Sequence, residues 1–530
     1  MLNTVRARRG MVTSPHHLAS ETGLRVLREG GNAIEAMVAM AATVAVVYPH
    51  MNGIGGDGFW LIAVPGEEPV AIEACGKAAA LADAGFYRER GLASVPTRGP
   101  LAANTVAATV SGWEEALRLS SAHGGTLPLP RLLEDAIWHA AHGVPVTASQ
   151  NALSAAKLHE LRDVPGFADA FLPGGRVPDA GNTLRAPALA ETLRRLGRDG
   201  IQDFYSGALA RDIAADLEAT GSPVRGEDLA RHQARCRTPL SMRLPGATLY
   251  NFPPPTQGLS SLMILGIFDR LGVESADGFD HVHGLVEATK RAFLVRDRVI
   301  GDPDAMRDMP QSFLADEVLE RLAEGVDKSQ AMPWPAPPSA GDTVWLGAID
   351  GNGLCVSFIQ SIFFEFGSGV VLPQTGILWQ NRGAGFVLND ENSPRALKPG
   401  RRPFHTLNPA FARFDDGRDM VYGTMGGEGQ PQTQAAVFSR YAMFGQDLQA
   451  AVTAPRWLLG RTWGEDSVTL KLESRFPDAL ISSLRDAGHD VEVVEPFTST
   501  MGHAGAIVRH GNGLLEGAGD PRSDGTAYAF

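Results

Sequence analysis

A proline-rich break followed at once by a strand pattern constrains this chain more than any other feature. Residues 333–342 read PWPAPPSAGD, with four prolines within six residues and small residues after them. Proline lacks a backbone N–H and fixes φ, so this segment can form neither a helix nor a central strand. The next residues, TVWLGAID (Thr343–Asp350), have the composition of a strand. The sequence therefore predicts an exposed, stiff linker that ends where a strand begins.

A second strand pattern follows after a turn and predicts a hairpin. Asp350-Gly351-Asn352-Gly353 has turn chemistry, and LCVSFIQS (354–361) reads as a strand. If Gly351 and Asn352 are the two central turn residues, Thr343 faces Gln360, and Ser361 is next to that position. The pattern therefore predicts a second hydroxyl close to Thr343, within one or two residues.

Thr343 has two interpretations at this point. Threonine often begins a β-strand for structural reasons alone. A threonine just after an exposed linker can also attack the preceding carbonyl, that of Asp342, and become a new N-terminus. Its free α-amine would then be a general base beside the hydroxyl nucleophile, which needs activation at neutral pH.

A pair of glycines could stabilise the oxyanion that forms when such a nucleophile attacks a carbonyl. Gly426 and Gly427 lie in GTMGG, just after a strand-like segment, and consecutive glycines at a strand end can present two N–H groups to an oxyanion. Most glycine pairs, however, only form turns.

Composition and charge restrict the class of protein. The chain has 530 residues, 44% apolar and 20% charged, which is enough for three or four domains or for one large layered domain. A net charge of -13 argues against nucleic acid as the main partner. The apolar stretch Ala33–Tyr48 contains Glu35 and is too short to span a membrane, so a buried helix capped by Asn32 is expected.

Three well-separated cysteines, Cys75, Cys236 and Cys355, predict buried or half-buried free thiols in a reducing compartment. The N-terminus has no apolar segment typical of a secretion signal, so a cytoplasmic location is expected. No metal or cofactor is expected either. The GxGxxG match at Gly53–Gly58 lacks the strand before it and the helix after it that a dinucleotide site needs. His281, His283 and Glu287 of HVHGLVE do not share one helix face.

Several long motifs connect the chain to a known family. They are EGGNAIEAMVAMAATVAVVYPHMNGIGGDGF, FPPPTQGLSSLMIL, GDTVWLGAIDGNG, GTMGG, APRW and the terminal GDPRS. On these motifs nearly the whole chain resembles the gamma-glutamyltranspeptidase family of N-terminal nucleophile hydrolases. The resemblance implies an α+β fold, a four-layer αββα sandwich. It also implies cleavage between Asp342 and Thr343 into a large subunit, 1–342, and a small subunit, 343–530, which remain intertwined in one core.

The resemblance also implies residue roles. Thr343 matches the nucleophile, Ser361 matches a second hydroxyl that supports it, and Gly426 and Gly427 match the oxyanion glycines. The positions that bind the glutamate part of a γ-glutamyl substrate differ. Six residues of other types stand at these positions. Cys75 replaces an arginine, Phe363 replaces an asparagine, Arg382 and Gly385 replace a glutamine and an aspartate, and His405 and Thr406 replace a pair of serines.

These changes predict a different substrate. With an acidic residue lost and Arg382 gained, an ammonium site becomes a carboxylate site. Arg382, His405 and Thr406 are therefore the expected substrate-binding residues, and Phe363 shortens the pocket. The expected substrate is a small amide with no α-amino group and with a carboxylate near the scissile carbonyl. Resemblance within the family implies oxamate, hydrolysed to oxalate and ammonia, as the best candidate.

Alternatives remain at this stage. Arg382 could instead serve a structural ion pair. The protein could be a gamma-glutamyltransferase or glutathione hydrolase with a reworked pocket, a cephalosporin-acylase-like amidase, or an unprocessed binding protein that keeps the fold. The expected partners are a small-molecule amide and the two subunits of one precursor, with a dimer of such pairs as a further assembly. Nucleic acid and membrane are not expected partners.

Overall fold

Two seven-stranded antiparallel sheets lie at the centre of this computed structural model, which describes residues 3–334, 342–460 and 467–530. Most of the predicted proline-rich linker lies outside these residues. Two smaller sheets, of two and three strands, are also present in the described part of the chain.

The strands follow one another in the chain as β1 (Val5–Ala7), β2 (Gly10–Thr13), β3 (Asp57–Ala63), β4 (Val70–Ala74), β5 (Val144–Pro145), β6 (Thr183–Leu184), β7 (Arg235–Arg237), β8 (Leu240–Leu244), β9 (Ala247–Asn251), β10 (Asp342–Asp350), β11 (Cys355–Phe363), β12 (Ala410–Phe414), β13 (Asp419–Thr424), β14 (Trp457–Leu459), β15 (Leu470–Glu473), β16 (Val491–Val494), β17 (Ala504–Arg509), β18 (Leu515–Gly519) and β19 (Ala527–Ala529). One large sheet has the order β1-β18-β17-β13-β12-β9-β8, and the other has the order β19-β2-β10-β11-β3-β4-β7.

The helices are α1 (His17–Arg28), α2 (Ala33–Val47), α3 (Ala84–Arg88), α4 (Thr109–Ala122), α5 (Leu129–His142), α6 (Ala148–Leu161), α7 (Phe167–Phe171), α8 (Pro187–Asp199), α9 (Asp203–Ser206), α10 (Ala208–Thr220), α11 (Gly226–Ala230), α12 (Gly258–Asp269), α13 (Phe279–Val299), α14 (Asp316–Glu324), α15 (Gly429–Phe438), α16 (Leu448–Thr453) and α17 (Asp478–Asp486). The helix predicted for Ala33–Tyr48 is confirmed as α2, which ends one residue earlier.

The side chains of β10 explain the layering. Val344, Leu346 and Ala348 pack into a core shared with α2, whereas Trp345 and Ile349 pack into the core between the two sheets. Because side chains of a strand alternate between faces, a strand with both faces buried must lie in an inner layer. On the other sheet, α12 and α15 cover the outer face. The predicted four-layer αββα sandwich is therefore confirmed.

The helix α2 is buried along its whole length, and its start is fixed by a capping box. The Asn32 side chain accepts hydrogen bonds from the N–H groups of Ile34 and Glu35, and the Glu35 carboxylate accepts one from the Asn32 N–H. These contacts satisfy N–H groups that would otherwise be buried without partners. The predicted cap at Asn32 is confirmed.

The β10–β11 hairpin is confirmed, but its predicted register is wrong by one residue. Val344, and not Thr343, is the Cα partner of Gln360, with a register shift between Asp342 and Val344. The turn uses three residues, because Asp350 and Leu354 close it and Gly353 takes a φ of +88°. Glycine adopts this left-handed conformation without the steric cost of a Cβ.

No helix in the described ranges is long and apolar enough to cross a membrane. All three cysteines are unpaired, as predicted. Cys75 and Cys355 are buried, but Cys236 is exposed, so the expectation of burial was wrong for that residue.

Candidate active site

Several strand ends meet at one edge of the sheet that contains β10. In an antiparallel sheet the start of one strand lies beside the end of its neighbour. Here β10 begins next to the end of β11, and Ser361 near that end is the Cα partner of Asp57, the first residue of β3. The paired positions Asp342–Phe363 and Val344–Gln360 flank Thr343, so Thr343 lies opposite the segment that contains Ser361. The predicted proximity of these two residues is confirmed.

Thr343 is fully buried at this edge. Its hydroxyl oxygen accepts a hydrogen bond from Gln430 Nε2 at 3.4 Å. Gln430 is the second residue of α15, and this helix follows the two glycines singled out in the sequence. The start of β10 therefore lies against the loop of the other large sheet that contains Gly426 and Gly427.

The loop between β13 and α15 contains Gly426 and Gly427, with φ of +114° and +52°. Their carbonyls accept hydrogen bonds from the N–H of Gly429 at 2.8 Å and from Gln257 Nε2 at 2.8 Å. Among the described residues, neither glycine N–H donates a hydrogen bond to a protein group. Two free N–H groups just before a helix N-terminus form a favourable site for a negatively charged oxygen.

Ser361 and Phe363 mark the end of β11. The Ser361 hydroxyl accepts a hydrogen bond from the Phe363 N–H at 2.8 Å. Phe363 has a φ of +82°, a conformation that costs a non-glycine residue about 1–3 kcal/mol. This backbone conformation stacks the Phe363 ring on Phe364, with centroids 4.5 Å apart, and places it under the Arg382 guanidinium, 3.9 Å from the ring centroid.

Arg382 is a buried cation. Only 1% of the residue is exposed, and it lies in a short 3-10 helix, Arg382–Gly385. Its Nη2 donates to Thr406 Oγ1 at 3.4 Å, and its Nε has no partner. It forms no ion pair with any carboxylate of the described residues. Burial lowers the pKa of Arg382 to about 9, so the group is still charged at neutral pH. A structural ion pair for Arg382, the alternative raised by the sequence, is therefore not found there.

His405 and Asp57 form a buried pair beside this cation. His405 Nε2 lies 2.7 Å from Asp57 Oδ2, and both residues are fully buried. Burial, followed by the charge of Arg382, lowers the pKa of His405 well below its usual value. Burial raises the pKa of Asp57 to about 6. At neutral pH the geometry therefore fits a neutral imidazole that donates its Nε2–H to an ionised carboxylate. The hydrogen-bond network assigns this tautomer, and His405 Nδ1 is left without a partner.

Asp57 and Gln430 were missed by sequence reasoning. Asp57 lies within the GIGGDGF motif, which served only for the family resemblance and for a rejected dinucleotide site. A carboxylate at the first residue of a fully buried strand was a signal that could have identified it, since buried carboxylates are rare without a partner. For Gln430, which lies three residues after Gly427, no comparable sequence signal exists.

Two groups of side chains have the composition of a metal site. Asp57, Cys75 and His405 offer ligand atoms within 4.8 Å of one another, as do His283, Glu287 and His489. In the first group the neighbouring guanidinium of Arg382 disfavours a further cation. In the second group His283 and His489 hydrogen-bond to each other, and Glu287 forms ion pairs, with Lys290 and Arg291. The members of the second group therefore have protein partners.

Comparison with known proteins agrees with this geometry. The family model described as gamma-glutamyltranspeptidase matches residues 19–530. The chain is 57% identical to an oxamate amidohydrolase proenzyme from Klebsiella pneumoniae, with 98% of each chain covered. It is 40% identical to a glutathione hydrolase-like proenzyme from Bacillus subtilis, over 100% of each chain. Its fold matches the crystal structure of a cephalosporin acylase from Bacillus halodurans, with a TM-score of 0.91 and 33% identity, covering 100% of this chain and 97% of that one.

The motifs, the αββα layers, the arrangement of strand ends and these similarities agree with one another. The chain belongs to the gamma-glutamyltranspeptidase family.

Proposed function

We propose that this protein is a self-processing amidohydrolase that cleaves its own chain before Thr343 and then hydrolyses a small carboxylate-bearing amide, with oxamate as the substrate. The family and its relatives make the chain an enzyme that hydrolyses amides. The Klebsiella pneumoniae relative bears the name of an oxamate amidohydrolase proenzyme, which supports both processing and substrate.

The sheet order supports the two proposed subunits, 1–342 and 343–530. In one sheet β10 and β11 lie between β2 and β3, and in the other β12 and β13 lie between β9 and β17. A cut between Asp342 and Thr343 would therefore leave each subunit with strands in both sheets. Such subunits would stay together, because separation would expose both sheets and their cores.

The proposed processing step uses the hydroxyl of Thr343. Its oxygen attacks the Asp342 carbonyl, the peptide C–N bond breaks, and an ester forms between the two residues. Water then hydrolyses the ester, which leaves a carboxylate on Asp342 and a free α-amine on Thr343. That amine supplies the base that a threonine hydroxyl requires.

The proposed catalytic cycle repeats this chemistry on the substrate. The Thr343 hydroxyl attacks the amide carbon, its proton passes through the α-amine to the leaving nitrogen, and ammonia departs from an acyl-enzyme ester. Water then releases the acid and restores the hydroxyl. The free N–H groups of Gly426 and Gly427 would stabilise the oxyanion, and the Ser361 hydroxyl would support Thr343 from the neighbouring strand.

The observation that carries the substrate proposal is the buried Arg382 guanidinium, which forms no ion pair with a carboxylate in the described part of the chain. The charge of Asp57 offsets only part of the cost of burying this cation, and a bound carboxylate would form charge-assisted hydrogen bonds with the guanidinium. His405 and Thr406 would complete the pocket. Oxamate has its carboxylate directly on the scissile carbonyl carbon, which fits a pocket closed by Phe363. The balanced reaction converts oxamate and water to oxalate and ammonium.

The names of some relatives support a second candidate function, that of a glutathione hydrolase or of a cephalosporin-acylase-like amidase. A γ-glutamyl substrate has an α-ammonium group that needs an acidic partner. Asp57 is the carboxylate beside the pocket, and it already accepts hydrogen bonds from Gly76, Gln380 and His405. The pocket therefore favours a substrate without an ammonium group.

The test combines processing with turnover. On a denaturing gel, we expect two bands for the wild type and one band for Thr343→Ala, whereas Thr343→Ser, which keeps a hydroxyl, should still be processed. The wild type should release ammonia from oxamate much faster than it releases the amine from a γ-glutamyl anilide. A single band for fresh wild type would refute the mechanism, and faster turnover of the anilide would refute the substrate.

Two further expectations belong to the proposal. A cytoplasmic location is supported by the three unpaired cysteines. The dimer of processed pairs is checked by light scattering on the purified enzyme, which measures the mass of the assembly.

A further inference from the structure

We propose that Asp57 is a positioning residue that orients His405 and the loop before Arg382. It thereby decides which hydrogen-bonding groups are offered to the substrate by the acid pocket, which Arg382, His405 and Thr406 form. This inference rests on the proposed function and adds a residue that none of the sequence motifs had identified. Asp57 itself would touch no reacting atom, because protein groups already occupy its oxygens.

Asp57 connects four separate segments of the chain. Its Oδ1 accepts the Gly76 N–H at 2.8 Å and Gln380 Nε2 at 3.1 Å, and its Oδ2 lies 2.7 Å from His405 Nε2. Gly76 follows the end of β4, Gln380 lies two residues before Arg382, and His405 precedes Thr406. One buried carboxylate therefore holds the loops of the acid pocket against the sheet edge where Ser361 and Thr343 lie.

The Asp57 carboxylate also fixes the tautomer of His405. An ionised carboxylate only accepts hydrogen bonds, so His405 must place its proton on Nε2. His405 Nδ1 is then an acceptor, and it is a buried atom without a partner. The Arg382 guanidinium, a donor, is close enough for its charge to act on His405. The pocket therefore combines a cation for a carboxylate with a neutral acceptor for an N–H group, and a primary amide next to a carboxylate offers both.

The substitution Asp57→Asn tests this role with almost no change in volume. Its amide oxygen can still accept the Gly76 and Gln380 hydrogen bonds, but the amide nitrogen then faces His405 Nε2. Two donors cannot face each other, so the imidazole proton must move to Nδ1. The acceptor in the pocket would become a donor, while the fold and Thr343 stay unchanged.

Asp350→Asn is the matched control. Asp350 is likewise a buried carboxylate, and it accepts N–H groups from Ala33, Asn352 and Leu354 at 2.9–3.1 Å. It lies at the opposite end of the same hairpin from Thr343. A general loss of stability from removing a buried charge would affect both variants, whereas an effect on the pocket would affect only the change at Asp57.

The experiment uses processed enzyme labelled with ¹⁵N-histidine and steady-state kinetics. The His405 signals are assigned by their loss in His405→Gln. We expect the Nε2–H tautomer in the wild type and in Asp350→Asn, and the Nδ1–H tautomer in Asp57→Asn. The Michaelis constant for oxamate should rise about 10-fold or more in Asp57→Asn, consistent with loss of a polar contact to the substrate. The maximal rate should change less.

An unchanged tautomer and Michaelis constant in Asp57→Asn would overturn the proposal, as would equal kinetic changes in Asp350→Asn. If Asp57→Asn fails to process, the His405→Gln enzyme provides the kinetic comparison, and a Michaelis constant equal to that of the wild type would then refute the role of this pair. Failure of the proposed function gives a different result. Wild-type enzyme would then be processed but would release no ammonia from oxamate, while the tautomer measurement would still test the orientation of His405.

Discussion

The attack region and the acid pocket lie side by side at one sheet edge but are built in different ways. In the attack region, Thr343, Ser361, Gly426 and Gly427 are placed by strand pairing and by backbone conformation. In the acid pocket, the groups are side chains on loops, and two of these loops hydrogen-bond to the Asp57 carboxylate through Gln380 and His405. Under the proposed function, the fold itself would position the reacting groups, whereas side chains that can change without altering the fold would determine which substrate is accepted.

The two regions also differ in their electrostatics. The attack region offers neutral hydroxyls and N–H groups, whereas the pocket buries a guanidinium, a carboxylate and a neutral imidazole. Burial lowers the pKa of Arg382 and raises that of Asp57, which indicates that both charges are costly in this environment. The acid pocket should therefore be the less stable region, and charge-removing substitutions there should reduce activity without reducing stability.

The largest effect is expected from Gly426→Ala in the attack region. A Cβ is strained at a φ of +114°, so the loop should move and its N–H groups should no longer point at the oxyanion. Loss of an oxyanion donor lowers the catalytic rate by roughly 100- to 1,000-fold. Gly513→Ala is the control, because Gly513 has a φ of +81° in open space, far from the site in the β17–β18 turn. If the two variants had comparable catalytic rates, the glycine loop would have no role in the mechanism.

A large effect on substrate binding is expected from Arg382→Met in the acid pocket. The side chain keeps its apolar stem but loses the charge that would hold the substrate carboxylate. Loss of a buried charged hydrogen bond costs about 2–3 kcal/mol, so the Michaelis constant for oxamate should rise roughly 30- to 150-fold. Two bands should still form on a denaturing gel, and the melting temperature should not fall. A normal Michaelis constant would exclude Arg382 from the pocket, and failed processing would show that the two regions are not separable.

A smaller effect is expected from Phe363→Leu, at the junction of the two regions. Leucine keeps an apolar side chain but removes the ring beneath the Arg382 guanidinium, an interaction worth about 0.5–2 kcal/mol. The Michaelis constant should rise a few-fold, up to roughly 30-fold. Phe364→Leu is the control, because its ring stacks on Phe363 but does not lie under Arg382. Equal effects of the two changes would mean that packing, and not the cation–ring contact, positions Arg382.

The last prediction concerns stability rather than activity, and it is a pH dependence at Asp57. The pKa of Asp57 is about 6 in the folded protein and 3.8 in its unperturbed state, so the folded protein binds more protons between these pH values. Wild type should therefore lose stability relative to Asp57→Asn as the pH rises from about 4 to about 6. The total change is at most about 3 kcal/mol, and it should level off above pH 6. Burial, followed by the charge of Arg382, lowers the pKa of His405 and so disfavours its protonation in the same range.

Differential scanning calorimetry of the two processed proteins at pH 4–8 measures this difference. A difference in melting temperature that does not change with pH would mean that the Asp57 carboxylate has an ordinary pKa. The contrast between a costly acid pocket and a neutral attack region would then be wrong.

Local patterns predicted much of the fold because their causes are local. The capping box at Asn32 and Glu35 is set by residues within one turn of each other. The hairpin was predicted for the same reason, but its register was wrong because the turn takes three residues. Whether a turn takes two or three residues depends on the φ of Gly353, which the sequence DGNG leaves open.

The candidate site was predicted only in part. Family motifs identified Thr343, Ser361, Gly426, Gly427, Arg382, His405 and Thr406 as its members, and the structure places them around one sheet edge in two neighbouring groups. Phe363 connects these groups, since its backbone pairs with Asp342 and its ring contacts Arg382. The catalytic roles themselves remain predictions that the variants above test.

The sequence by itself determined the helix that begins at Ala33, the hairpin and the family, because each depends on short segments of contiguous residues. Only the tertiary structure decided that Arg382 is buried with no ion pair among the described residues and that Asp57 joins Gly76, Gln380 and His405. The last of these contacts spans 348 residues of sequence. No local pattern can encode such a contact, because it forms only when the edge of a sheet and three loops are packed together, and that packing also sets the burial that shifts each pKa.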